Sequence, residues 1–252
     1  MRTILARSRV INLVSRWAPP AIFDALVAAF RGLPVDRPYR FADYQGVRTV
    51  FDAQPLHAGR FAESYERHWR LDPHFTSDVM RYRCYNVATL AMQCRDVAGD
   101  FVFAGISYGV SARVLYDFVE FERLGKVFHL IDPFTAFNPN DRRGRSDFYN
   151  TDPDYVRAQY PVDAPVKICR DIIPDALTGI GSIAFAALNT TNPPAETASL
   201  PILFNKLAAG GIIVIDTYGT IGGCFAEFDP AFAKLGVTPL WFPSGQCAVI
   251  KR

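Results

Sequence analysis

From Gly99 onward, short apolar runs alternate with helical stretches, and this alternation constrains the fold more than any other feature of the chain. Runs at Phe101–Gly105, Val127–Ile131, Pro165–Cys169, Ser182–Leu188 and Ile212–Ile215 read as strands. Helical stretches at Ser111–Glu122 and Glu196–Leu207 lie between them, with a short turn of helix around Pro174–Leu177. Apolar strands separated by helices predict a mostly parallel sheet covered on both faces. Ser182–Leu188 is apolar almost throughout and is expected at the centre. After a further helix at Phe225–Leu235, runs at Val237–Phe242 and Gln246–Lys251 flank Pro243-Ser244-Gly245. They predict a terminal hairpin, which puts an antiparallel strand at or near one edge.

Residues 1–98 have a different texture and read as a helical extension or cap on the 99–252 domain. Ile4, Leu5, Val10, Ile11, Val14 and Trp17 fall at helical spacing among Arg2, Arg7, Arg9 and Arg16, and no acidic residue precedes Asp24. Arg7 and Arg9 interrupt the apolar region that a secretory signal needs. Three uses of residues 1–17 stay open: peripheral contact with an anionic membrane, packing on the body of the protein, and packing on a second copy as a homodimer element. Pro19-Pro20 stops this segment, and Ala21–Phe30 resumes as a short helix. A loop-rich stretch with a short strand at Val47–Phe51 leads to a helix over 61–71, broken at Asp72-Pro73. Ser77 then caps a longer helix to about Val97, which Gly99 ends.

Composition removes several classes. The formal net charge of +2 over 252 residues is too small to argue for a nucleic-acid partner. The five cysteines are scattered and never form a CxxC pair, so neither a disulfide framework nor a zinc site is expected. That usage fits a reducing, cytoplasmic compartment. No uninterrupted apolar segment is long enough to span a bilayer.

Chemistry is expected beyond the carboxyl ends of the strands, where parallel sheets hold their ligands. Gly105, Asp132, Asn189 and Asp216 close four of the strands. Gly105 and Gly109 let a backbone approach a small molecule, and the helix beginning near Ser111 offers N–H groups to an anionic part of it. The same glycines also serve any α/β corner. Asp132 suits a ribose diol, or it is a turn-forming Asp before Pro133. Asp216 follows Ile212-Ile-Val-Ile215, where a buried carboxylate needs a partner, ligand or metal.

The blocks GDFVFAGISYGVSA, HLIDPF, IIPDAL, IAFAALNTT and LAAGGIIVIDTYG, in this order, resemble the macrocin O-methyltransferase family over about residues 77 to 252. The resemblance implies a Rossmann-like class I methyltransferase sheet and S-adenosylmethionine as cofactor. It gives Asp132 the ribose role and makes Gly105 and Gly109 the bed for the methionine portion. The cofactor-binding set is then Phe103, Ala104, Gly105, Gly109, Ser111, Asp132, Phe134, Asp171 and Asn189. The family carries a glutamate where this chain has Phe103, an arginine at Tyr108 and a glycine at Val110. Its magnesium ligands correspond to Asn189, Asp216 and Thr217. An amide, one carboxylate and a hydroxyl give hard oxygen donors with little charge, so magnesium is doubtful and any site at Asn189 and Asp216 is weak.

Transfer of a methyl group to a hydroxyl also needs a base or an oxyanion holder. Asp216 is the first candidate, with His57 and His74 from the N-terminal region as others; either histidine is equally a solvated loop residue. His129 reads as a packed core residue. Asp171 and Asp175 reach an adenine amine or cap a turn. The polar insertion from Asn138 to about Asp163 reads as a lid, or as a solvated loop with its aromatics tucked onto the body. In it Arg142, Arg143 and Arg145 would steer an anion, and Tyr149, Tyr155 and Tyr160 would stack on a ring. The expected function is O-methylation of a sugar or glycosylated small molecule. Phe103, Asn189 and Thr217 keep a non-catalytic binding or scaffolding relative open as the rival. A Rossmann oxidoreductase is disfavoured by the lack of GxGxxG after the first strand.

Overall fold

A computed structural model describes residues 42–44, 47–49, 53–73, 80–134, 151–219 and 224–252. The chain divides into two compact units, Met1–Ala53 and Gln54–Arg252. In the first, β1 (Ala42–Tyr44) and β2 (Val47–Thr49) pair antiparallel, with Tyr44 opposite Val47. The helices expected over residues 1–30, His74, the Ser77 cap and residues 138–150 of the insertion lie outside the described residues.

The second unit begins with helices α1 (Gln54–His57), α2 (Gly59–His68) and α3 (Arg81–Gln93). Strands β3 (Asp100–Ala104) and β4 (Phe128–Ile131) follow, separated by α4 (Val110–Phe118). Then come α5 (Pro153–Arg157), β5 (Val166–Cys169), β6 (Ile183–Leu188), α6 (Pro193–Lys206) and β7 (Leu207–Ile215). Helix α7 (Phe225–Leu235) and strands β8 (Leu240–Trp241) and β9 (Cys247–Ile250) complete the chain.

The seven-stranded sheet has the order β5-β4-β3-β6-β7-β9-β8. The first five strands run parallel, and β9 pairs antiparallel with both β7 and β8, as the terminal hairpin predicted. Side chains alternate between faces along each strand. Phe101, Phe103, Phe185 and Val214 pack with α3 and α4 residues such as Val87, Ala91 and Leu115 on one face. Val102, Ala104, Ala186 and Ile213 pack with Leu200, Leu203, Phe228 and Phe232 from α6 and α7 on the other. β6 is buried at every position, as expected of the centre.

The structure differs from the sequence expectation at two places for identifiable reasons. Helix α6 starts at Pro193, not Glu196, because the Asn192 side chain accepts from the Ala195 N–H at 3.3 Å and Pro193 suits the first turn. Strand β7 begins at Leu207 rather than Ile212 and runs through Gly210-Gly211. The Gly210 N–H donates to the Lys251 carbonyl at 2.7 Å, and the Lys251 N–H to the Gly211 carbonyl at 3.0 Å. Helices α2 and α3, assigned by sequence to the extension, are packed on the sheet unit. The Ser64 hydroxyl donates to the Val114 carbonyl at 2.9 Å, and His68 Nε2 meets Asp117 Oδ2 at 2.6 Å. Among the described residues no helix is long and apolar enough to cross a membrane.

Candidate functional site

The chain order reverses direction across the sheet between β3 and β6, so the ligand crevice of such a fold lies beyond the carboxyl ends of these two strands. There the end of β3 is bonded to its neighbours on both sides, β6 and β4. The Asn189 N–H donates to the Ala104 carbonyl at 2.8 Å, and the Gly105 N–H donates to the Ile131 carbonyl at 2.9 Å. Gly105 turns with φ of 86° and Gly109 with φ of 90°, where a side chain is disfavoured. Ser107, Phe134 and Thr191 also have positive φ, at 51°, 52° and 56°. These three leave the carboxyl ends of β3, β4 and β6. Left-handed backbone at non-glycine residues gathers where surrounding structure holds it, and functional loops are such places.

Asp132 fastens this turn. Its Oδ2 accepts from the Ile106 N–H at 2.7 Å and the Ser107 N–H at 3.2 Å, and its Oδ1 accepts from the Phe134 N–H at 2.8 Å. Burial pushes the carboxyl up from its ordinary value, and the three backbone N–H groups oppose that shift. A carboxylate has about four acceptor positions, so roughly one remains.

Asp216 ends β7, and its N–H donates to the Leu188 carbonyl at 2.8 Å. Its Oδ2 pairs with the Arg83 guanidinium, and its Oδ1 accepts from Gln246 Nε2 at 2.6 Å. Gln246 Oε1 in turn accepts from Asn86 Nδ2 at 2.9 Å and from the Ser244 hydroxyl at 2.8 Å. All five residues are buried. Alongside, Glu196 is 0 % exposed. Its Oε1 accepts from the Thr190 N–H at 2.7 Å and the Thr190 hydroxyl at 2.8 Å, and its Oε2 from the Thr217 hydroxyl. Burial pushes the Glu196 carboxyl up; the Thr217 and Thr190 hydrogen bonds oppose, and the Asp216 charge adds to the rise.

The other sequence candidates fall in varied settings. Phe103 and Ala104 are buried on opposite core faces. The half-buried Ser111 hydroxyl stands 3.2 Å from Cys84 Sγ, whose thiol burial pushes up to about 12. Asn189 is half-buried. Asp171 is exposed, and its Oδ1 accepts from the Ile172 N–H at 2.8 Å, the geometry of a turn cap. His57 is exposed at the end of α1. His129 lies in the sheet, with Nε2 3.1 Å from Asp100 Oδ2. Tyr160 is tucked onto the body against Tyr116, at 5.0 Å between ring centroids, while the exposed Tyr155 donates its hydroxyl to the Leu71 carbonyl at 3.0 Å. Among the described residues no group of three His, Cys, Asp or Glu is arranged to hold a metal ion.

The sequence reading missed Arg83, Asn86, Glu196 and Gln246. One signal was available for Arg83: it interrupts an apolar helical stripe, and a buried charge requires a partner. The partner's identity was not readable, because Asp216 lies 133 positions away.

No protein-family model matches the chain, and no curated protein matches it. Solved structures do resemble it. The O-methyltransferase NovP is 16% identical, with a TM-score of 0.60 over 70% of this chain and 81% of NovP. The SAH-bound Podospora anserina methyltransferase PaMTH1 is 16% identical, with a TM-score of 0.53 over 77% of this chain and 88% of its own. The calicheamicin methyltransferase CalS11 is 16% identical, with a TM-score of 0.50 over 79% of this chain and 98% of its own. The fold is therefore the Rossmann-like methyltransferase fold.

Proposed function

We propose that this chain is an S-adenosylmethionine-dependent O-methyltransferase of the macrocin O-methyltransferase type, acting on a hydroxyl of a sugar or glycosylated small molecule. The observation that carries the reading is the seat of Asp132: its carboxylate borders the Gly105 turn at the strand-order reversal and keeps about one acceptor position for a ribose hydroxyl. Likeness in fold to the O-methyltransferase NovP and the calicheamicin methyltransferase CalS11 supports the same class. Gly105, Gly109, Ala104, Ser111, Phe134 and Asn189 are assigned to the cofactor's bed, with Phe103 beneath it and Asp171 toward the adenine end. The cofactor supplies an electrophilic methyl group when bound. The protein's part is alignment and exclusion of water. Asp216 is assigned to the acceptor side, with His57 and His74 as further bases.

A small-molecule acceptor, a cytoplasmic setting and no nucleic-acid partner belong to the same reading; all five cysteines are free. Residues 1–17 are assigned to membrane or dimer contact. Binding of S-adenosylmethionine or S-adenosylhomocysteine tests the proposal by calorimetry and thermal shift. Saturable binding is the expected result. No binding of either at up to about a millimolar would overturn it.

One observation favours a second reading, a non-catalytic relative that binds without turnover. Both carboxylate oxygens of Asp216 are engaged, by Arg83 and Gln246, which leaves the first candidate base occupied. Methyl transfer to any sugar acceptor removes this second reading.

A further inference from the structure

The sequence resemblance implies a divalent ion at Asn189, Asp216 and Thr217, and the residues present do not fit one. We propose that the Arg83 guanidinium is the resident cation of this site and stands beside Asp216 in place of a divalent metal ion.

Four relationships carry this. Each carboxylate oxygen of Asp216 already holds a donor, Oδ2 the Arg83 guanidinium and Oδ1 Gln246 Nε2 at 2.6 Å, so the cation next to this carboxylate is supplied by the chain itself. The Gln246 amide cannot turn away cheaply, because its Oε1 already accepts from Asn86 at 2.9 Å and Ser244 at 2.8 Å. The guanidinium is itself fixed: Nη1 donates to the Ser244 carbonyl at 3.1 Å, and Nη2 also donates to the Asp216 carbonyl. The Thr217 hydroxyl, the third implied ligand, is turned toward Glu196, to which it donates.

A divalent ion would have to displace the guanidinium from Asp216. The displaced arginine is 7% exposed and would be left as a buried, unpaired charge. Breaking such a pair by removing one partner is strongly unfavourable. Magnesium, which dehydrates reluctantly and draws on one or two carboxylates, is a poor competitor for this seat. Arginine suits it, being always charged and planar, with donors for several oxygens at once.

The test uses the full-length protein and Mn2+ alone, read by the electron paramagnetic resonance signal of the free ion. Wild type and Asp216→Asn are expected to leave the same free-ion signal. Sequestration of Mn2+ by wild type that Asp216→Asn loses would overturn the proposal. A second measurement is a thermal melt. Arg83→Met is expected to lower Tm by roughly 5–15 °C by stranding the Asp216 carboxylate. Adding Asp216→Asn to that variant is expected to recover part of the loss, because the stranded charge is gone. A double variant that melts no higher than Arg83→Met would also overturn it. Where Arg83→Met does not fold, the wild-type Mn2+ titration decides alone. Neither readout uses cofactor or acceptor, so failure here is distinct from failure of the methyl-transfer reading.

Discussion

A β-carbon on Gly105 would stand 2.2 Å from the carbonyl oxygen of Asn189 and 2.4 Å from its carbonyl carbon. Both are backbone atoms of Asn189, the residue after the central strand β6, so neither can step aside as a side chain would. The φ of 86° adds backbone strain for any other residue. Gly105→Ala is therefore expected to cost roughly 2–5 kcal/mol, combining overpacking with left-handed strain. Urea unfolding checks it. A variant within about 0.5 kcal/mol of wild type, the range of ordinary surface changes, would show that β3 and β6 do not meet this closely.

Asp132 holds three backbone N–H groups of two different loops, at 2.7, 3.2 and 2.8 Å. Asp132→Asn keeps the shape but turns one acceptor into a donor that faces an N–H. The expected loss is about 1–3 kcal/mol in the ligand-free protein, the usual cost of leaving buried donors unsatisfied. Affinity for S-adenosylhomocysteine is expected to fall at least tenfold, since the turn and the ribose acceptor go together. Calorimetry on Asp132→Asn beside wild type measures this. Unchanged affinity would remove Asp132 from the cofactor site.

The strands were readable because a parallel sheet buried on both faces demands near-continuous apolar runs, and Phe101–Ala104 and Ile183–Leu188 are unbroken ones. Asp132 and Asp216 stood out as carboxylates closing them. The front of β7 was hidden, because Gly210 and Gly211 carry no side chain to reveal a face and are held by main-chain bonds to Lys251. Arg83 and Gln246 were hidden for another reason. Their roles depend on contacts across more than a hundred positions, which spacing within one element cannot disclose. Tyr160 was open to two readings, a ring-stacking residue of a lid or an aromatic tucked onto the body; spacing could not choose, because its place is set by Tyr116 and by the Arg113 guanidinium 5.1 Å from its ring centroid.

Glu196 gives a pH dependence with a definite sign. Its carboxyl is raised in the folded protein, chiefly by burial. A group raised on folding contributes fully below its unfolded value and loses that contribution as pH rises through the folded value. The window therefore opens near the ordinary 4.5 and extends upward. Gln at this position cannot ionise and keeps an acceptor for Thr190. The Tm of Glu196→Gln relative to wild type is expected to climb as pH is raised from about 5 to 8, because the unfolded wild-type chain gives up a proton that the folded protein holds. A difference that stays flat or falls across this interval would mean that Glu196 is charged in the folded state without penalty. Melting curves of both proteins at each pH decide it.

Gly109 offers a test of how the 151–163 segment sits on the turn. A β-carbon there would lie 2.7 Å from Gln159 Oε1, the end of a side chain rather than backbone. The Gln159 amide also donates to the Tyr108 carbonyl at 2.9 Å, which fixes it over the start of α4. Gly109→Ala thus carries two costs, left-handed strain at φ of 90° and a clash with Gln159. Gln159→Ala removes only the second, at the loss of one hydrogen bond. The single Gly109→Ala change is expected to cost roughly 2–3 kcal/mol, and the same change in the Gln159→Ala background about 1 kcal/mol less, as contacting positions fail to add. Denaturant unfolding of the four proteins closes the cycle. Strict additivity would mean that Gln159 does not cover the Gly109 turn, and that residues 151–163 leave the helix start open to solvent.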